Sequence, residues 1–499
     1  MKKLFFLIIL LSSFLKTNAQ YFSKDLLFGN NGVVINTSVL KNPIEVFFEN
    51  NKYFFVLSEN QICSFNFDGT KNLEFGSNGL LTFNTGNENY RIKGAKFHNG
   101  FIYLFGQLSI NSNSNKNGFI VKLSSTGILD STFGSGGIAT FDFGHNEESI
   151  NDIVFTSSND IFSIGTRNYS IFLAKINISG ILDNTFDSSG YKTYPMSANE
   201  YSNGINIFLT NNELVLSGST VIGAKYLVLL KVNLNGDYIQ NFGINGLKKI
   251  EVISQTDTSS LGLIKTIFKN DNLYFSYTKA YSFSTINNWL GKYNMINENT
   301  ECEYISLPFS LPYFIVDENN EVYHTGIQRC SPNTSSNCSR DFFIKKTNTN
   351  GISDLTFNGT GVYNYNFFPN DLLSDDQSSV FYLHQDGSIL IGGYSYNPMT
   401  SNGSGLSLVR LKETNLNIDT VNFEKSIIIY PNPSYSKIYI ANNSQKTIQK
   451  ILILDTSMKV VFEKHFPDQF IDISNFQNGI YFIQINVEGT SIHKKIIKI

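Results

Sequence analysis

Short runs in which apolar and polar residues alternate fill most of this chain, each closed off by Gly, Asn, Asp or Ser. One stretch shows the pattern in full: Gly137-Ile-Ala-Thr-Phe-Asp-Phe143, Ser149-Ile-Asn-Asp-Ile-Val-Phe155, Ile161-Phe-Ser-Ile-Gly165 and Ser170-Ile-Phe-Leu-Ala-Lys-Ile176. Period-two alternation marks strands with one face toward a core, and turn residues between them predict an up-and-down antiparallel sheet of four strands. The third run recurs as Tyr53–Leu57, Phe101–Gly106, Ile161–Gly165, Leu214–Gly218, Leu273–Tyr277, Val322–Gly326 and Ile389–Gly393. The pattern therefore repeats seven times.

A phrase of fixed spacing, Gly-x5-Phe-x3-Gly, marks the same period. It reads Gly69/Phe75/Gly79, Gly127/Phe133/Gly137, Gly180/Phe186/Gly190, Gly236/Phe242/Gly246 and Gly351/Phe357/Gly361, with an opening fragment at Phe28 and Gly32. Its first glycines are 58, 53 and 56 residues apart and then 115, a double step that implies one degenerate copy with Asn297 in the glycine's place. Asn415 ends the last copy in the same way, since Asn is the best non-glycine residue for a left-handed turn. Small sheets repeated at this period bury their faces against one another. Four-stranded units of this size predict an all-β, seven-bladed β-propeller over 20–411. The motif Phe is expected in the seam between blades. Residues 21 to 36 are expected to pair with the last blade and close the ring, which removes the open sheet edges.

After Leu411 the pattern changes. A polar connector, 412–426, leads to a region, 427–499, with seven short alternating strands and none of the repeat phrase, which predicts a small immunoglobulin-like β-sandwich. Eight lysines against five acids give this tail a charge of +3, against -3 for the whole chain. The chain opens with Lys2 and Lys3, an apolar core from Leu4 to Leu15, and Thr17-Asn18-Ala19. These are the parts of an export signal cleaved after Ala19, giving a domain assignment of 1–19 to a signal peptide. A membrane anchor is the alternative, but the apolar run falls short of the ~20 residues a span needs. No later segment is apolar enough to cross a bilayer. The mature chain is expected to be exported.

Composition narrows the partners. Charged residues make up only 16% of the chain and the net charge is near zero, so no field draws in nucleic acid. Phe (43) and Tyr (26) are abundant, as strands that bury both faces require. Four cysteines in an exported chain permit disulfides. Cys330 and Cys338, which share the polar loop 328–340, are the candidate pair, while Cys63 and Cys302 are expected to be thiols in or beside strands.

Gly127-Ile-Leu-Asp-Ser-Thr-Phe-Gly134 and Gly180-Ile-Leu-Asp-Asn-Thr-Phe186 resemble the delta-60 repeat of bacterial secreted proteins, Gly-x-Leu-Asp-x-x-Phe-Gly, and Gly351-Ile-Ser-Asp-Leu-Thr-Phe357 matches it more loosely. This resemblance implies a propeller and carries no activity with it. In the tail, Tyr430-Pro431-Asn432-Pro433, the strand ending at Asp455, Gly479-Ile-Tyr481 and the terminal Lys494-Lys495-Ile-Ile-Lys498-Ile resemble the type A C-terminal sorting domain of type IX secretion in Bacteroidetes. Met458 departs from it, standing where a turn glycine is usual. The resemblance implies recognition by the outer-membrane translocon, with the protein attached at the surface or released. Pro431 and Pro433 are expected to impose a rigid, non-helical lead into the first tail strand.

Catalytic patterns are scarce. The six histidines lack metal-ligand spacing, and no calcium loop, serine elbow or phosphate loop occurs, so no cofactor or metal is expected. Asp130, Asp183 and Asp354 occupy equivalent positions in separate repeats and are expected to cap turns. Glu147-Glu148 and Asp375-Asp376 read as ordinary solvated loop acids. The connections after the third run are long at 107–118, 278–287, 327–340 and 394–405, all on one face of the ring. They carry Tyr281, Phe283, Trp289, Tyr394 and Tyr396, the candidate binding-face residues. Three functions follow: a non-enzymatic propeller binding a polysaccharide or surface glycoconjugate, a polysaccharide hydrolase or lyase, and a structural adhesin. The first is the expectation taken forward, with the translocon as second partner.

Overall fold

The computed structural model describes residues 20–499 apart from 84–87, 111–114, 197–199, 223, 255–259, 281–285, 306–308, 329–339, 370–373, 398–403, 415–426, 443–446, 457–458, 466–469 and 488–489. All regular elements among the described residues are strands, and the chain divides into two units, Met1–Glu413 and Thr414–Ile499.

Among the described residues the larger unit contains seven sheets, six of four strands and one of five. Their first strands are Pro43–Glu49, Glu88–His98, Glu148–Phe155, Tyr201–Thr210, Ser260–Lys269, Phe309–Val316 and Asp375–Leu383. Each of these packs on the next in order, and the last packs on the first, so the sheets stand like propeller blades around a shared axis. Apolar clusters fill the seams. One joins Tyr103, Phe105 and Phe133 of one sheet to Ile150, Ile161 and Phe172 of the next.

The sheets are offset from the sequence unit by one strand. Ile138–Phe141 opens the run that begins at Gly137, but it pairs with Lys116–Ser124 of the preceding sheet. A repeat can be cut at any phase, and alternation alone does not show where the structural unit starts. The offset leaves the last sheet without its outer strand, and the N-terminal strand Val33–Asn36 supplies it, with Val33 opposite Val409 and Asn36 opposite Leu406. Tyr21–Lys24 pairs with the same strand, Gly405–Thr414, which runs past Leu411 into the expected connector.

The repeated phrase forms the interlock between neighbouring sheets. Phe75, Phe133 and Phe357 are fully buried. The first glycines have left-handed φ (86° at Gly69, 80° at Gly127 and Gly180), and Gly69, Gly127, Gly180 and Gly236 lie against the phenylalanine of the copy before. A Cβ on Gly180 would meet the Phe133 ring and the Gly134 nitrogen at 3.0 Å. In several copies the amide after the phenylalanine crosses the seam: Gly76 donates to the Thr126 carbonyl (3.0 Å) and Gly134 to that of Ser179 (2.8 Å). In the degenerate copy, Glu298 rather than Asn297 holds the left-handed position, at φ 57°. The turn is one residue longer there, with Asn294 donating to Asn299, and the Glu298 carboxylate accepts the Gly243 amide (3.1 Å) in place of a carbonyl.

Three aspartates behave as turn caps. Asp130 accepts from the amide and hydroxyl of Thr132 and pairs with Lys122 (2.7 Å), and Asp183 and Asp354 repeat this with Thr185 and Lys175, and with Thr356 and Lys346. The Lys122 ammonium, then Thr132, pull the Asp130 carboxyl down to about 2. The two acid pairs depart from expectation. Glu148 and Asp376 are fully buried at the start of first strands, accepting the amides of Phe143 and His145, and of Phe367. Glu147 and Asp375 pair with Lys116 and Arg340 of the preceding sheet. Strand pairing begins earlier than the polar sequence suggested, and corner amides need acceptors.

His324 is buried, with Nε2 2.9 Å from the Thr347 hydroxyl, and burial, reinforced by Lys345, pushes its pKa down to about 3. A histidine kept neutral when folded binds a proton more readily when unfolded, so its contribution is complete above pH ~6.5 and is lost as pH falls toward 3. At pH 4.5 the expected loss is about 2–3 kcal/mol by linkage. Denaturant unfolding of wild type and His324→Gln between pH 4.5 and 7.5 checks this: the variant's profile should be flatter, and parallel profiles would refute the assignment.

Among the described residues the smaller unit has a three-stranded sheet (Ile427–Tyr430, Lys437–Asn442, Phe470–Asp472) and a four-stranded one (Val460–His465, Ile448–Leu454, Gly479–Val487, Thr490–Lys498). Alternate residues such as Ile438, Ile451, Ile453, Ile483, Ile485 and Ile496 fill its core. Met458 lies outside the described residues.

Candidate functional site: the central channel

The seven first strands share a defect. Each slips register within its first seven residues: between Pro43 and Glu45, Ile92 and Gly94, Ile150 and Asp152, Gly204 and Asn206, Leu263 and Lys265, Ser310 and Tyr313, and Ser378 and Val380. A bulge twists its strand and re-aims side chains. Here the bulged stretches of all seven strands line one cavity of about 810 Å³ on the ring axis. That volume is in the range of small-ligand sites, about 300–1,000 Å³.

The charged groups of the channel divide into satisfied and unsatisfied. Asp152 pairs with the Lys96 ammonium (3.2 Å) and accepts from Asn206 Nδ2 (3.1 Å) and the amides of Ile207 (3.2 Å) and Ile153 (2.9 Å). Asp152, and more weakly Glu45, keep the Lys96 ammonium charged against the cost of burial. Glu45 accepts the Ala95 amide at 2.7 Å, and burial raises its pKa against the pull of Lys96 and Lys265. The Lys265 ammonium stands 3.6 Å from the centre of the Tyr313 ring. No acceptor among the described residues lies within hydrogen-bonding distance of it or of Lys93. Burial pushes Lys265 down to about 8, with Glu45 only partly opposing, and burial also lowers Lys93.

Among the described residues, the binding-face candidates Trp289, Tyr394 and Tyr396 are spread over two sheets. Tyr281 and Phe283 lie outside the described residues, as do Cys330 and Cys338. Trp289, Tyr394 and Tyr396 lie on strands rather than loops, because the hairpins extend further than their polar sequence suggested. Trp289 stacks on Tyr277 at 5.9 Å and 10°, while Tyr394 and Tyr396 belong to another sheet with one between. They and the channel mouth are at the same end of the ring, where first strands begin and second strands finish. Cys63 is a buried free thiol whose pKa burial raises.

In the smaller unit, the segment from Tyr430 to Ser434 ties the terminal strand down. Asn432 donates to the Lys495 carbonyl and accepts the Ile497 amide, both at 2.8 Å, and Ser434 bonds Ile497 and Ile499. Both X–Pro bonds, at Pro431 and Pro433, are cis. Gly479 opens the strand that carries Tyr481, opposite Lys498, and the Tyr481 hydroxyl donates to the Gln477 carbonyl (2.9 Å). Lys495 is exposed beside Lys494, whereas Lys498 is buried and donates to Asn478 (3.2 Å). Tyr430 remains exposed and stacks on Tyr439.

Residues 428–499 match the family model of the secretion system C-terminal sorting domain. This tail marks a protein targeted to the type IX secretion system, exported across the outer membrane to the cell surface or the medium. No curated protein matches the chain. Among solved structures it is similar to PorZ, a surface component of the type IX system of Porphyromonas gingivalis, at 12% identity and TM-score 0.30, covering 91% of this chain and 70% of PorZ. It is also similar to a neuraminidase-like protein from a little yellow-shouldered bat isolate (7%, TM-score 0.36, 64% and 93%). Prolyl oligopeptidase B of Galerina marginata is a third (8%, TM-score 0.38, 86% and 56%).

Proposed function

We propose that this protein is a surface or secreted binding module: a closed seven-bladed propeller of delta-60-like repeats that holds a polysaccharide or glycoconjugate at its axial channel. An immunoglobulin-like tail delivers it, after removal of residues 1–19. The observation that carries the reading is the channel itself, to which all seven inner strands contribute and in which cationic groups stand without acceptors. A saccharide needs amides, hydroxyls and charges at fixed points together with aromatic surface. Asn42, Asn151, Asn203, Ser379, Phe208 and Phe268 supply these around the lysines.

A glycan array probed with residues 20–499 tests the reading. Saturable binding without product release is expected, and silence across neutral and acidic glycans would sink it. One observation favours a hydrolase or lyase instead: Glu45, with its raised pKa, shares the cavity with Asp152. Yet Asp152 is occupied by four partners and Glu45 by a backbone amide, which suits scaffold acids. Product release lost in Glu45→Gln would establish the enzyme.

Delivery has its own test. Removing 428–499 should leave the protein inside the outer membrane, whereas Asn432→Ala, which frees the terminal strand at two bonds, should reduce export in part. Immunoblots of cell and medium fractions check this, and unchanged export of the truncated chain would refute it.

A further inference from the structure

We infer that the channel takes an acidic sugar, a uronate, whose carboxylate is received by the Lys265 ammonium and whose ring hydroxyls meet the channel's amides. This rests on the binding reading above and names the ligand class for that site. Three lysines line the cavity against two carboxylates; Asp152 is engaged by Lys96 and three hydrogen bonds, and Glu45 accepts one backbone amide. An ammonium has three donors, and leaving them without acceptors in a desolvated place is costly. Tyr313 offers Lys265 only the face of its ring. A carboxylate arriving there would make a charge-assisted hydrogen bond that nothing in the chain provides.

Polar groups stand in the same wall: Asn151, Asn203 and Ser379 line the cavity and fit a ligand that carries hydroxyls as well as an anionic group. Phe208 and Phe268, whose ring centres are 5.9 Å apart, give the apolar face of a sugar ring a place to lie. A simple inorganic anion would satisfy Lys265 and leave the rings unused.

The test is calorimetric titration of residues 20–499 with a galacturonate trisaccharide and, separately, the neutral galactose trisaccharide. The acidic trimer should bind about tenfold or more tightly than the neutral one, the worth of one charge-assisted hydrogen bond. Lys265→Met should remove that preference and Lys265→Arg should retain most of it, with circular dichroism showing each variant folded. Should Lys265→Met fail to fold, Lys265→Gln serves: it should likewise bring the two trimers to equal affinity. Equal binding of the two trimers, or full binding by folded Lys265→Met, overturns the inference but leaves the binding module standing. Array binding to other glycans with neither trimer bound also overturns it alone, and silence on the array removes the underlying reading too.

Discussion

Arg410→Ala is expected to lower the unfolding free energy of the propeller unit by about 3–5 kcal/mol, the usual cost of leaving a buried charge without its partner. Arg410 is almost wholly buried. Its Nε donates to Asp25 (2.9 Å), a terminal nitrogen lies 2.8 Å from the same carboxylate oxygen, and the other donates to the Tyr53 hydroxyl (3.4 Å) and the Phe67 carbonyl. Its guanidinium also lies over the Phe67 ring at 4.2 Å and the Phe28 ring at 4.7 Å. One side chain thus ties three parts together: the N-terminal segment, the first sheet, and the last sheet to which it belongs. Guanidinium chloride unfolding gives the number. Limited proteolysis should show residues 20–36 cut first in the variant. A loss below about 1 kcal/mol, within the range of an exposed ion pair, would mean that strand pairing alone holds the closure. The pair Arg410→Met with Asp25→Asn should recover part of the loss, since the stranded carboxylate is gone.

Phe133→Ala carries the second large expectation, a loss of about 3–5 kcal/mol for a buried aromatic whose cavity cannot collapse. The ring is sealed by Tyr103 at 5.9 Å edge-on and by the Gly180 backbone, which belongs to the next copy of the phrase. Neither wall can move without opening a seam. Gly180→Ala should act on the same seam from its other side, combining left-handed strain with a contact on the Phe133 ring. Because the two sites touch, their losses should not add. Thermal and denaturant unfolding of both single variants and the double variant measure this. Strict additivity would show that ring and glycine do not share a joint.

The sequence made the seams legible and hid the channel, for physical reasons. Phe75, Phe133 and Phe357 do the same job in each copy, so the same residue recurs at the same spacing and can be read by eye. The residues after each bulge are Glu45, Gly94, Asp152, Asn206, Lys265, Tyr313 and Val380, all different, and all but Val380, whose strand lines the channel through Ser378 and Ser379, lie on the cavity, because a site around one axis needs distinct groups at each point. A repeat search averages such positions away. Aligning the first strands on their register slip would have placed five polar residues in one ring. The acid pairs were misread for a related reason. Glu148 and Asp376 look like loop residues in a polar stretch, and only the corner amides of Phe143, His145 and Phe367 show why a buried carboxylate belongs there. In the tail, the Asn432 motif was visible as a pattern, yet its work of holding the last strand shows only in the pairing.

The pairing of Val33–Asn36 with Gly405–Thr414 sets an order of events on folding. Val33 and Val409 lie at opposite ends of the propeller unit's chain, so their contact carries nearly the largest loop-closure cost the unit can incur. Until it forms, the last sheet presents the bare edge of Gly405–Thr414, and the N-terminal strand has nothing to join. Both are open templates for strands of other chains. A chain threaded through a membrane from its N-terminus would carry its own missing strand ahead of it, unpaired, until almost every other sheet had emerged. The short N-terminal segment is therefore the piece whose premature capture by a second copy would convert a closed ring into a domain-swapped chain of rings.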